Sequence, residues 1–221
     1  MLRNTYLRAV LFGAAILAVA GAMLLWYAAS DDLPQSESIA VLESIMPVYD
    51  VQEVHSTHVD AVPARAYAAI LAVTPGETSL VRPFLWVRTL PARLSGERVD
   101  NALWNRPFVS TTSPSIIGRV PDREIVVGLI GKFWKLRHGE RVAVQSREQF
   151  MAFKDPGFCV STLSFHVDSE GTGSRVTTIT RVRTTDPEAR REFFRYWRFI
   201  RTGSAVLRRT WLRALKARAE G

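Results

Sequence analysis

The run "AVLFGAAILAVAGAMLLWYAA", Ala9 to Ala29, constrains this chain more than any other feature, because it holds 21 residues without a charge. A buried core helix of that length would normally keep one polar face, and this run has none. About 20 apolar residues suffice to cross about 30 Å of hydrocarbon. Trp26 and Tyr27 stand where aromatic side chains gather at a membrane interface. The basic residues Arg3 and Arg8 precede the run, and the next one after it is Arg65. That asymmetry places residues 1–8 in the cytoplasm, makes 9–29 a single transmembrane signal anchor, and puts the rest outside the cell membrane. The rival is a cleavable signal peptide, for which Ala28-Ala29-Ser30 offers small residues. Apolar regions of signal peptides run about 7–15 residues, shorter than this one. Both readings export the remaining chain.

That remainder is long enough for one domain with a sizeable core. Residues 30–47 read as a polar, acidic linker and 48–221 as the domain. Cys159 is the single cysteine, so no internal disulfide framework exists, and no Cys/His zinc pattern is present. The formal charge of +8 is uneven. Asp31 to Ala64 carries seven acids and no Lys or Arg, which reads as a solvated spacer at its start. Arg190 to Arg218 carries ten Lys or Arg against the single acid Glu192.

Periodicity then orders the elements. "YDVQEVHSTHVDA" alternates like a strand. "VPARAYAAILAV" reads as a helix with Pro63 in its first turn, broken by Pro75-Gly76. "SLVRPFLWVRTLPARL" reads as a second helix. "PSIIGRV", "REIVVGLIGKFWKL" and "RVAVQS" read as strands. The second of these sets Ile125, Val127, Leu129 and Phe133 on one face, with Glu124, Gly128 and Lys132 on the other. "DPGFCVSTLSFHVDSEGTGSRVTTITRVRTTD" is a hairpin turning at "SEGTGS". Its Arg175, Thr177, Arg181 and Arg183 share a face, which that composition marks as the solvent side. A long helix closes the chain from about Glu188 to Ala219. Thr185 and Glu188 have capping-box spacing, and Phe193, Trp197, Ile200, Leu207, Trp211 and Leu215 form its apolar stripe. Gly203-Ser204 is a candidate kink.

This order, and the stretches "REIVVGLIGKFW", "FKDPGFCVSTLSFHVDSEGTGSRVTTITRV" and "RREFFRYWRFIRTGSAVLRRTWLRALKARAE", resemble the SRPBCC (START/Bet v1-like) superfamily. The resemblance spans roughly Tyr49 to Arg218. It implies an α+β helix-grip fold, a curved antiparallel sheet wrapped around the last helix, with an apolar cavity between them. It further implies binding of a hydrophobic small molecule or lipid. The alternatives are a polyketide cyclase or dehydratase-like enzyme using the same cavity, and an interaction module with a filled core. The N-terminal span departs from many soluble members of the group.

On that fold the cavity candidates are Ile125, Val127, Leu129, Leu163, Phe165, Thr178, Thr180, Phe193 and Trp197, and plain core packing accounts for the same residues. The hydroxyls of Thr178 and Thr180 are the informative ones, because a hydroxyl on an apolar face needs a partner. His55 and His58, three apart on a strand, point to opposite faces and cannot share a metal. His138 sits in a turn. His166 faces away from the Leu163 side and is therefore expected outside. Cys159 has no cation beside it and reads as inert. Neither "GTGS" nor "GLIG" matches a phosphate or dinucleotide loop, so no catalytic residue, metal or cofactor is assigned. The basic last helix reads first as a solvated face, second as a membrane contact. Nucleic acid is not expected as a partner, since an exported domain rarely meets any.

Overall fold

Period-two alternation builds most of this molecule. The computed structural model describes residues 39–78, 115–135 and 140–221, with 31–34 and the single positions 21, 29, 105 and 107. Six strands lie within them: β1 (Val51–Val59), β2 (Ser115–Val120), β3 (Glu124–Gly131), β4 (Arg141–Val142), β5 (Cys159–Glu170) and β6 (Gly173–Thr184). They form one antiparallel sheet in the order β1-β6-β5-β3-β2, with β4 paired to β3. Four helices accompany it: α1 (Ala40–Ile45), α2 (Pro63–Ala72), α3 (Arg147–Ala152) and α4 (Pro187–Glu220). The class is α+β, an antiparallel sheet with a long C-terminal helix. Among the described residues no helix is long and apolar enough to cross a membrane. The apolar run 9–29 lies outside them apart from Gly21 and Ala29, as do His138 and the second expected helix at 79–94.

The expected hairpin is the spine of the sheet. β5 and β6 pair from Cys159 opposite Thr184 to Glu170 opposite Gly173. Gly171 takes the left-handed conformation, φ 60°, that lets so short a turn close. The expected strand "RVAVQS" shrinks to Arg141–Val142, and Ser146 instead caps α3 by accepting from Gln149 N–H.

The last helix runs unbroken from Pro187 through Gly203-Ser204 to Glu220. Its cap is Asp186, one residue after the Thr185 expected from spacing. Asp186 Oδ1 accepts from the backbone of Glu188 at 2.8 Å and Ala189 at 2.9 Å. Thr185 is already engaged with the backbone of Phe158. The other Asp186 oxygen accepts from Gly157 N–H, and Arg190 pairs with Asp50. At the far end, Arg218 makes a two-pronged contact with Glu77 at 2.9 and 3.0 Å. Glu220 accepts from Asp60 N–H at 2.7 Å, and Lys216 donates to the His58 carbonyl at 2.9 Å. Both ends of α4 are thus clamped to the sheet or the turns beside it.

One face of the sheet lies under α2 and α4. Ile125, Val127, Leu163 and Phe165 pack there against Tyr67 and Ile70 of α2 and Trp211, Leu212 and Leu215 of α4. Each such side chain contributes about 2 kcal/mol on leaving water.

The other face is the solvent side that its arginines suggest only at Arg175, which is exposed, and in part at Arg183. Arg181 and Thr177 are each 1 % exposed. Residues 39–46 and α3 cover them, with Leu42, Ile45 and Phe150 packed on Val54, Val126 and Ile179. The acidic spacer expected there is therefore part of the fold from Ile39 onward. Two glycines allow the approach. A side chain on Gly128 would meet the Phe150 ring at 2.8 Å, and one on Gly118 would meet Val41 at 2.3 Å. The sheet is the middle of three layers.

Candidate functional site

Strand alternation turns Glu53 and His55 toward α4. They are 3 % and 1 % exposed. His55 Nε2 lies 3.2 Å from Glu53 Oε1, and Ser204 Oγ of α4 donates to Glu53 Oε2 at 3.1 Å. Arg208 comes one turn after Ser204 and so projects from the same side of the helix. Its enclosure pushes the guanidinium below its ordinary pKa, and the charge of Glu53 opposes that shift. An arginine so placed remains a cation.

Across the strand pair, Thr180 stands opposite Glu53 and Thr178 opposite His55. Directly opposed residues bring their side chains within about 5 Å. Here two buried polar atoms lack a partner: His55 Nδ1 and Thr178 Oγ1 have none among the described residues. Each such atom costs about 1–3 kcal/mol relative to a paired one. The two residues stand directly opposite each other in the sheet, next to Glu53 and Thr180. Glu53 engages Nε2, which leaves Nδ1 as the nitrogen of His55 without a partner.

The nine residues expected to line one cavity fall into three groups and one that stands apart. Ile125, Val127, Leu163 and Phe165 lie in the core between the sheet, α2 and α4, where Phe165 meets Trp211 at 6.0 Å. Thr178 and Thr180 lie beside Glu53 and His55. Phe193 and Trp197 stack at 5.7 Å in a separate cluster with Cys159 and Val182. Leu129 is half-buried on the row of Ser161. Glu53, His55, Ser204 and Arg208 were not among the expected residues. The signals for them were the shared parity of 53 and 55 and the four-residue spacing of 204 and 208. Both rows of β1 are mixed in polarity, so alternation alone did not say which row faced inward.

On the covered back face the polar groups find partners. His166, expected outside, is fully buried. Its Nε2 lies 2.8 Å from Ser164 Oγ, and its Nδ1 lies 3.6 Å from Glu124 Oε1. That chain of contacts has the order of a nucleophile, a base and an orienting acid. Yet Glu124 is a helix cap: its two oxygens accept from Leu42 N–H at 2.8 Å and Val41 N–H at 3.0 Å. Ser164 in turn donates to the Ile179 carbonyl. Burial raises the Glu124 pKa, and the two backbone donors pull it back. Arg181 reaches Gln52, the Met46 carbonyl and Glu43, with the Tyr49 ring stacked beneath its guanidinium. This cluster pins α1 to the sheet.

Cys159 is fully buried, and burial pushes its thiol up to about 12, which leaves no thiolate at neutral pH. His58, on the opposite face from His55, bonds Glu170 at 2.6 Å and Asp60 at 3.0 Å, and these carboxylates raise its pKa. Among the described residues no group of three His, Cys, Asp or Glu side chains is arranged to hold a metal. A depression lined by Ser56, Thr57, Arg209, Leu212 and Arg213 measures about 80 Å³. That falls short of the few hundred Å³ a small organic ligand occupies.

No family model matches the chain. No curated protein matches it. Among solved structures it is similar to the crystal structure of TTHA0849 from Thermus thermophilus, at 12% identity over 76% of this chain and 97% of that one, with a TM-score of 0.28. A likeness that slight carries no argument about fold or activity.

Proposed function

We propose that this chain is a membrane-anchored helix-grip domain of the START/Bet v1-like kind, facing away from the cytoplasm. It binds a hydrophobic small molecule or lipid between the sheet and α4. The observation that carries this reading is the pair of unsatisfied buried atoms, His55 Nδ1 and Thr178 Oγ1, next to the apolar cluster that Phe165, the other strand neighbour of Thr178, shares with Trp211. A ligand with an apolar body and one polar group satisfies both atoms while burying the body against Phe165 and Trp211.

The test is mass spectrometry of the organic extract of the full chain, purified from membranes. The full chain is required because residues 39–46 belong to the core. The wild type is expected to carry a defined molecule near one per chain, and Thr178→Val is expected to lose most of it. A chain that refuses lipids offered to it and yields no molecule would overturn the reading in favour of an interaction module with a filled core.

The Glu53–His55 contact favours a second reading, an enzyme of the cyclase or dehydratase type. A carboxylate on one imidazole nitrogen leaves the other poised for proton transfer. Conversion of an extracted ligand by the wild type, lost in His55→Gln while binding persists, would decide for it.

A further inference from the structure

The outer face of α4 has a charge pattern that neither the core nor the site uses. Arg191, Arg198 and Arg201 are exposed and have no acidic partner among the described residues. Phe199, next to Arg198 in sequence, is 85% exposed, the most exposed of the large apolar side chains described. Arg195 shares this face, paired with Glu192 three residues away. At 3.6 residues per turn, Arg191, Arg195, Arg198 and Arg209 fall within about 60° around the helix axis, with Phe199 about 40° beyond Arg195 on one flank and Arg201 about 60° beyond Arg198 on the other. The face is opposite the stripe that carries Phe193, Ser204 and Trp211 into the interior.

Ala29 and Asp31, at the end of the apolar run and just after it, meet this same helix. Arg209 donates to the carbonyl of Ala29 at 2.9 Å and to Asp31 at 2.9 Å. Asp31 in turn is fixed to the free edge of β1, donating to the Val54 carbonyl and accepting from Ser56 N–H. The apolar run therefore ends against α4 with no slack between the two. A bilayer-spanning segment ending there brings the Arg209 turn of α4 close to the membrane surface.

We propose that the Arg191–Arg201 face of α4 docks on an anionic phospholipid surface, with Phe199 inserted among the head groups. Guanidinium groups bind phosphate, and a lone exposed aromatic beside them suits the interface. The proposal rests on the anchor reading of Ala9 to Ala29. Its consequence is that the space beneath α4 is held next to a source of lipid.

The experiment uses the full chain in lipid vesicles, with Cys159→Ala and an environment-sensitive fluorophore at Phe199→Cys. A control places the fluorophore at Arg123→Cys, by the opposite edge of the sheet. In vesicles with about one-third phosphatidylglycerol, the label at 199 is expected to shift to the blue and be quenched by brominated lipid, and the label at 123 is not. Arg191→Gln, Arg198→Gln and Arg201→Gln are each expected to lower docking about fivefold, and together about a hundredfold. Salt near 0.5 M, where the Debye length is about 4 Å, acts in the same direction. A label at 199 that stays in water on anionic vesicles overturns the proposal. So does one equally immersed in vesicles of phosphatidylcholine alone. Alkaline washing separates the two readings: release of the chain sinks the anchor, whereas a retained chain with a wet label sinks only the docking.

Discussion

The two faces of the sheet carry similar polar side chains and treat them differently. On the back, Glu124, Ser164, His166 and Arg181 are buried with partners from the backbone, from each other and from residues 39–46. Beneath α4, Glu53, His55 and Thr178 are buried too, with Ser204 half-buried beside them, yet two of their atoms stay unpaired. The back face holds the more suggestive constellation, a serine, a histidine and a carboxylate in line. It is nevertheless the structural one, because each member is committed to holding a helix or a strand. Polarity alone does not mark a site in this molecule. Unmet hydrogen-bonding capacity is what distinguishes the two faces.

The comparison is broken most sharply by Glu124→Ala. It strands two backbone N–H groups of α1 and is expected to lower stability by about 3 kcal/mol, read as a fall in the urea midpoint. An unchanged midpoint would mean that α1 does not depend on the sheet. Gly128→Ala drives a methyl into the Phe150 ring and is expected to cost about 2 kcal/mol in the same assay. Under α4 the sign reverses: Thr178→Val removes an unpaired hydroxyl and is expected to raise the stability of ligand-free protein by about 1 kcal/mol. A loss there would show that the hydroxyl has a partner within the protein. The smallest effect is on pH. Hydrogen bonding to Arg218 holds the Glu77 carboxyl down at about 2, against an ordinary value of 4.5. Its stabilising effect is complete above 4.5 and disappears as pH falls through about 2. Glu77→Gln should therefore flatten the stability profile in that window and leave the profile's shape above it unchanged.

Much of the scaffold was legible in the sequence. The β5–β6 alternation, Pro63 and the stripe of α4 each state a local preference that the fold obeys. The face of the sheet that meets solvent was not legible. Arg175, Arg181 and Arg183 alternate in the manner of exposed residues, and only the arrival of Glu43, Tyr49 and Met46 from a distant segment makes burial of Arg181 tolerable. Gly128 and Gly118 on that face were the available hint, since a missing side chain in a strand often marks close approach. The site suffered similarly. Thr178 and Thr180 stood out as hydroxyls among apolar neighbours. Glu53 and His55 did not, because their strand is polar on both rows and only the position of α4 decides which row is interior.

The clamps at the two ends of α4 have a kinetic consequence. Asp186 and Arg190 fix one end, and Lys216, Arg218 and Glu220 fix the other. A bar riveted at both ends does not swing open like a hinged door. Under the proposed binding role, an occupant beneath it would exchange by passing along its flank, with a residence time set by side chains stepping aside rather than by the helix lifting away.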